Sequence, residues 1–296
     1  MVVGFSIESE VSEMVDTTTP AVPETANWLS VSPKAQELNR VLLEKTQGKT
    51  RDLLERLLVD EEILAYQSYA NTVSIRRLGF NDHGTVHARI TTYNALKILG
   101  FLHQGGIQTS LEAEEVGSYE DSQVAVALGC LLHDLGMGVT REAHEWHSLN
   151  FADAFIVREL ARLYPEDLPK RCALRAMCHE IIVGHMAHDR IHSVEAGVVL
   201  VADGTDMTRG RSRIPQMLQR DPAVGDIHRY SASAIERVAI SAGQTKPVHI
   251  DVHMADMTGI FQVEEVFMTK VKASPIMRHL EVTVNLRDQP PRHYLR

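Results

Sequence analysis

The segment Leu131-Leu132-His133-Asp134-Leu135 sets the strongest limit on what this chain can fold into. An imidazole and a carboxylate stand side by side at the end of a run in which Val124, Val126, Ala127, Leu128, Leu131 and Leu132 recur at helical spacing. A carboxylate buried there without a partner is strongly destabilising, and a cation removes that penalty. Two more such groups stand in apolar helical patterns. His87 lies in a helix expected to run from an Asn81-Asp82 cap to Leu99 and to stop at Gly100, and Asp203 follows Val198-Val199-Leu200-Val201-Ala202. Neighbours on a helix project about 100° apart, so His133 and Asp134 share an ion only at the seam between their directions. Alone, the pair also reads as a capping or salt-bridged Asp beside a core His. Four groups spread over three predicted helices favour a metal site inside a helical bundle.

A net charge of −9 argues against a general nucleic-acid-binding surface, though not against a local basic pocket for a phosphorylated small molecule. No apolar run approaches the roughly 18 residues of a membrane span. The start, Met1 to Glu10, lacks the basic residues and longer apolar run of a secretory signal. The expectation is a cytoplasmic protein with no membrane contact. Cys130, Cys172 and Cys178 have no framework spacing and read as buried free thiols.

The fold class expected is mainly α: a helical bundle with a small C-terminal β-α-β (α+β) module. Residues 1–32 lack steady periodicity and read as a weakly ordered arm. Helical patterns fill 33–242, including Glu142–Leu163, 170–188, Val194–Val201 and Ser231–Ser241, with an exposed loop over 103–121. Asp121-Ser122 reads as the cap of the helix that leads to His133. From 243 the pattern changes. Val248–Met254 and Leu280–Leu286 alternate like strands around an amphipathic helix over Ile260–Lys272. Such a module can pair its edges across a dimer, so a homo-oligomer is a possible state.

Several other residues carry chemistry. His83 and His87 are spaced i, i+4, which on a helix puts both on one face. Arg209, Arg211 and Arg213 follow Asp206 closely. They read either as a substrate-phosphate site or as a surface turn paired with carboxylates. Asp206 is a candidate to orient a ligand or an arginine. Cys172 and Cys178 beside His179 lack a fourth zinc ligand and read as core packing.

His87, then His133-Asp134, then Asp203 resembles the H…HD…D signature of the HD-domain superfamily of metal-dependent phosphohydrolases, over roughly 75–215. The resemblance implies an all-helical domain with metal at its centre. His83-Gly84-Thr85-Val86-His87-Ala88 also looks like the H-N-x-x-H-A segment of cyclic-nucleotide phosphodiesterases. This implies that His87 is a ligand and His83 the acid that protonates the leaving oxygen, although Gly84 replaces the usual Asn. Many HD proteins hold a second metal with two further histidines between the HD pair and the last Asp. Here His144 and His185 are preferred, with His147 and His179 as alternates, while His188 and His192 read as a solvated loop.

The implied cofactors are one or two divalent transition metal ions (Mn, Fe, Co, Ni or Zn, with Mg possible as second ion). The implied activity is hydrolysis of a phosphorylated small molecule by metal-activated water. Two alternatives share the ligand set. One is a di-iron oxygenase, and the other is a non-catalytic nucleotide-binding protein that signals through its C-terminal module.

Overall fold

Two stretches of this chain are apolar around nearly the whole helical circumference, and they form the buried centre of the fold. A computed structural model describes residues 29–208, 231, 233–287 and 289–296. The arm expected over 1–32 lies outside these as far as residue 28. Helices then follow in order: α1 Pro33–Lys45, α2 Gly48–Leu57, α3 Glu61–Thr72, α4 Thr85–Gln104, α5 Ser110–Ala113, α6 Tyr119–Leu132, α7 His144–Leu163, α8 Leu168–Gly184 and α9 Val194–Thr205. In α6 every residue from Asp121 to Leu132 except Gln123 is buried, and in α9 every residue from Glu195 to Thr205. Helix α6 packs against α2, α4, α8 and α9, and α4 and α8 also pack against α9.

Capping explains where the central helices begin. Ser118 and Asp121 form a reciprocal capping box at the start of α6, and the Ser193 hydroxyl accepts the Ala196 N–H at the start of α9. The α6 cap is therefore Ser118, with Asp121 serving from inside the first turn rather than as the cap. Helix α4 begins after Gly84 and ends at Gly105. It runs through Gly100, the expected stop, because Ile98, Leu99 and Leu102 around it are buried and packing overrides a glycine's modest cost. The expected loop over 103–121 contains α5, held by a second capping box between Thr109 and Glu112.

The C-terminal part is a four-stranded sheet of order β1-β2-β3-β4, with β1 Ile235–Ala242, β2 Val248–Met254, β3 Leu280–Leu286 and β4 Arg292–Leu295. Strands β2 and β3 are parallel, and the two outer pairings are antiparallel. The β2–β3 crossover carries a π-helical segment Gln262–Phe267 that continues into α10 Met268–Ala273. In β2 the buried residues Val248, Ile250, Val252 and Met254 alternate with half-buried His249, Asp251 and His253.

Most of the expected helix over Ser231–Ser241 is strand β1. Its apolar residues fit either period, and pairing with β2 from Ile235↔Met254 to Ala242↔Val248 selects the extended form. One hydrophobic cluster runs from Leu42 to Leu286, so the helices and the sheet share a core. The chain is thus mainly α with a small β unit. Among the described residues no helix is long and apolar enough to cross a membrane.

Candidate metal centre

The two apolar helices end at the same place. His133 caps the C-terminus of α6, Asp134 follows it outside helical geometry, and Asp203 stands in the last turn of α9. His87 comes from the first turn of α4, His144 opens α7, and His185 caps the C-terminus of α8. His87, His133, His144 and His185 are at most 1 % exposed, and Asp134 and Asp203 are each 6 % exposed.

Their donor atoms form two groups that share one carboxylate. His87 Nε2 lies 3.2 Å from His133 Nε2, 3.3 Å from Asp134 Oδ2 and 3.1 Å from Asp203 Oδ1. His144 Nε2 lies 3.0 Å from His185 Nε2 and 3.2 Å from Asp134 Oδ1, and His185 Nε2 is 3.5 Å from the same oxygen. The structure thus brings together His87, His133, Asp134, His144, His185 and Asp203. Each of three triads among them has its ligand atoms within 4.8 Å of one another.

The outer edge of each ring explains why the inner edge faces inward. Nδ1 of His133, His144 and His185 donates to the carbonyls of Cys130 (2.8 Å), Arg141 (2.9 Å) and Ile182 (2.6 Å). Nδ1 of His87 donates to Asp206 Oδ2 at 2.7 Å. A neutral ring so held carries its lone pair on Nε2, so Nε2 atoms meet in pairs as acceptors. Paired lone pairs beside carboxylates repel one another unless a cation lies between them. Asp134 Oδ2 is buried and has no hydrogen-bond partner, which fits the same need. The donor set therefore suits divalent metal, and the arrangement is compatible with an HD-like site.

Electrostatics keep the ligands in binding-competent form. Burial pushes His185 down to about 4, which leaves the imidazole neutral at physiological pH. Burial would raise Asp203, but the Lys270 ammonium holds it well below the usual carboxylate range. Burial, aided by the Asp203 charge, pushes the Cys130 thiol up, and Cys130 belongs to none of the ligand triads.

Local packing sets the second group. Gly136 lies so close to α7 that a Cβ there would sit 2.0 Å from the His144 carbonyl oxygen and 2.6 Å from the Ser148 nitrogen. The Ser148 hydroxyl accepts the Gly136 N–H at 2.8 Å and lies against the carbonyls of His133 and His144. This buried serine ties the turn carrying Asp134 to the helix that opens with His144.

Other expected residues fall elsewhere. His83 precedes α4 rather than sharing a helical face with His87, because Gly84 is the N-cap. It remains adjacent, with ring centroids 5.7 Å apart, and its Nδ1 is held by the Asn81 carbonyl at 2.7 Å and the Ser74 hydroxyl at 2.9 Å. His179 is half-buried and pairs with Asp153 at 2.8 Å, outside the cluster, and the half-buried His147 belongs to none of the ligand triads. His188 is exposed, as its loop suggests, yet its Nδ1 lies 3.1 Å from the buried Glu145. Cys130 and Cys178 are buried, but Cys172 is exposed, which corrects its reading as core. Arg209, Arg211 and Arg213 lie outside the described residues.

Sequence reasoning missed Lys270. It is 8 % exposed in α10, and its Nζ donates to Asp203 Oδ2 and, at 2.8 Å, to the His185 carbonyl. The available signal was a lysine on the apolar stripe of Val263, Phe267 and Val271, where a solvated charge does not belong.

The chain is 36 % identical over 249 residues to "Uncharacterized protein MJ1020" of Methanocaldococcus jannaschii, covering 84 % of this chain and 94 % of that protein. The chain belongs to the MJ1020 family. The likeness to MJ1020 spans nearly all of that protein, so it covers far more than a short motif. No protein-family profile matches the chain. No solved structure matches it either.

Proposed function

We propose that the protein is an HD-domain phosphohydrolase that cleaves a phosphate ester of a small molecule, either a nucleotide or another phosphomonoester or diester. The observation that carries this reading is the placement of Asp134, with Oδ2 against His87 and His133 and Oδ1 against His144 and His185. A carboxylate so placed supports two cation positions with a common ligand. Divalent cations held there supply an activated water and a counter-charge for phosphoryl oxygens.

The residues divide the work. His87, His133, Asp134 and Asp203 hold one cation, and Asp134, His144 and His185 hold the other. Asp206 and three backbone carbonyls fix the rings. His83, held through Nδ1, would act in its imidazolium form, giving its Nε2 proton to the leaving oxygen and becoming neutral. The arginines at 209, 211 and 213 are proposed to meet the substrate phosphate. An imidazole-rich set favours Mn, Fe, Co, Ni or Zn over Mg alone.

The test strips the purified protein of metal and reloads it with Mn or Fe. It then measures product release from phosphomonoesters, nucleotides and cyclic nucleotides. Metal-dependent release is expected. His144→Ala should lower metal content from about two to about one per chain. His83→Ala should lower kcat on the order of 10²-fold with metal content unchanged. No release across the panel would overturn the hydrolase reading. Oxygen uptake by the iron-loaded protein would point to an oxygenase, and tight nucleotide binding without turnover to a regulatory protein.

A further inference from the structure

The two buried carboxylates of the centre are treated differently by the rest of the chain. Asp134 presents both oxygens to imidazole nitrogens, and its Oδ2 has no hydrogen-bond partner. Asp203 presents Oδ1 to His87 Nε2 at 3.1 Å, while its Oδ2 is taken by the Lys270 ammonium. The same ammonium donates to the His185 carbonyl at 2.8 Å, so it is anchored at two points.

The approach of Lys270 is built into α9. Gly197 and Gly204 stand seven residues apart, on one helical face. A Cβ at Gly204 would sit 3.2 Å from Phe267 Cδ2 and 3.3 Å from Lys270 Cδ. One at Gly197 would sit 2.8 Å from Ser274 Oγ and 2.9 Å from Pro275. Two bare positions thus let the crossover helix of the sheet unit lie against the helix that carries Asp203. The Ser274 hydroxyl donates to the Gly197 carbonyl at 3.0 Å and fastens the contact.

We propose that Lys270 is a positioning residue of the metal centre, which restricts Asp203 to one oxygen on one cation and leaves Asp134 as the bridging carboxylate. This rests on the two-cation reading above. A fixed positive charge beside Asp203 also opposes cation binding, so the cations are held less tightly and stay less neutralised by their ligands. The sheet unit thereby supplies a working part of the centre, which the helices alone do not complete.

The direction of the effect separates this role from a structural one. A lysine that merely filled space and satisfied Asp203 would, on removal, leave that ligand misplaced and the cation more weakly bound. A lysine that restrains Asp203 would, on removal, release its second oxygen from the ammonium and tighten binding. The experiment titrates Mn(II), Co(II) and Zn(II) calorimetrically into metal-free native chain, Lys270→Met, Lys270→Gln and Lys270→Arg. The Mn(II)-loaded forms are then compared by electron paramagnetic resonance.

The Met and Gln variants should bind the tighter cation on the order of tenfold more strongly, with an altered spin-coupled manganese signal. The Arg variant should stay near native. Gln is neutral and one bond too short to hold Asp203 and the His185 carbonyl together, so it decides the matter if Met fails to fold. Unchanged or weakened binding in the neutral variants would overturn the proposal. If the native chain binds none of the three cations, the two-cation reading fails first and visibly, and this role fails with it.

Discussion

At the scale of single residues, the centre is a set of acceptors forced together. Every imidazole that faces inward has its other nitrogen occupied, so none of them gives Asp134 a proton without becoming charged inside the core. Asp134 is the residue on which the arrangement turns, and Asp134→Asn tests it with two readouts of opposite sign. The amide keeps the shape but removes the bridging charge, so metal content by elemental analysis should fall close to zero. In the metal-free state the same change removes a buried, unpartnered carboxylate oxygen. That state should gain on the order of 1–3 kcal/mol in urea unfolding. Loss of metal with no such gain would mean that Asp134 is already satisfied without a cation.

At the scale of elements, the sequence carried the ligands better than the links between them. His133-Asp134 and Asp203 were legible because a charged group at the end of an all-apolar helix is too costly to bury without a partner. Strands β2 and β3 were legible because their alternation has only one buried face. Strand β1 was not, since its apolar positions fit two periods and only the pairing with β2 decides between them. The short polar β4 carries almost no pattern, being defined by its pairing with β3. Lys270 lies 67 positions from Asp203 in the chain, and no spacing rule spans that gap. Gly136 was visible only as the residue two after Asp134. The structure gives it a reason, namely that the turn lies directly on the first turn of α7. Gly136→Ala should push His144 away from Asp134, because the atoms it would meet are backbone. Metal content should fall toward one ion per chain, with a stability loss on the order of 1–3 kcal/mol by thermal unfolding. A Gly136→Ala protein that keeps two ions would show that His144 is placed by other contacts.

At the scale of the whole molecule, one core joins the helices to the sheet, so proton binding at the centre acts on the stability of the entire chain. His185 titrates near 6.5 when unfolded, and burial lowers it to about 4 in the fold. A group depressed in this way contributes its full stability above the unfolded value and loses it as pH falls through the folded one. Between pH 6.5 and about 4 the unfolded chain binds a proton that the folded chain refuses. The loss across that window is about 3 kcal/mol for this one group. Asp203, held well below 3.8 by the Lys270 ammonium, adds to the loss at the acidic end, because acid protonates it first in the unfolded chain. Acidification also reduces the net charge of −9, which by itself relieves repulsion and works in the other direction. The buried imidazole outweighs that surface effect because solvent and salt screen the exposed charges and not the ring. Urea midpoints of the chelator-treated protein should therefore fall steadily from pH 7 to pH 4.5. The fall should be shallower in His185→Gln, which keeps a polar side chain but cannot take up the proton. Equal slopes in the two proteins would place the acid sensitivity outside the centre.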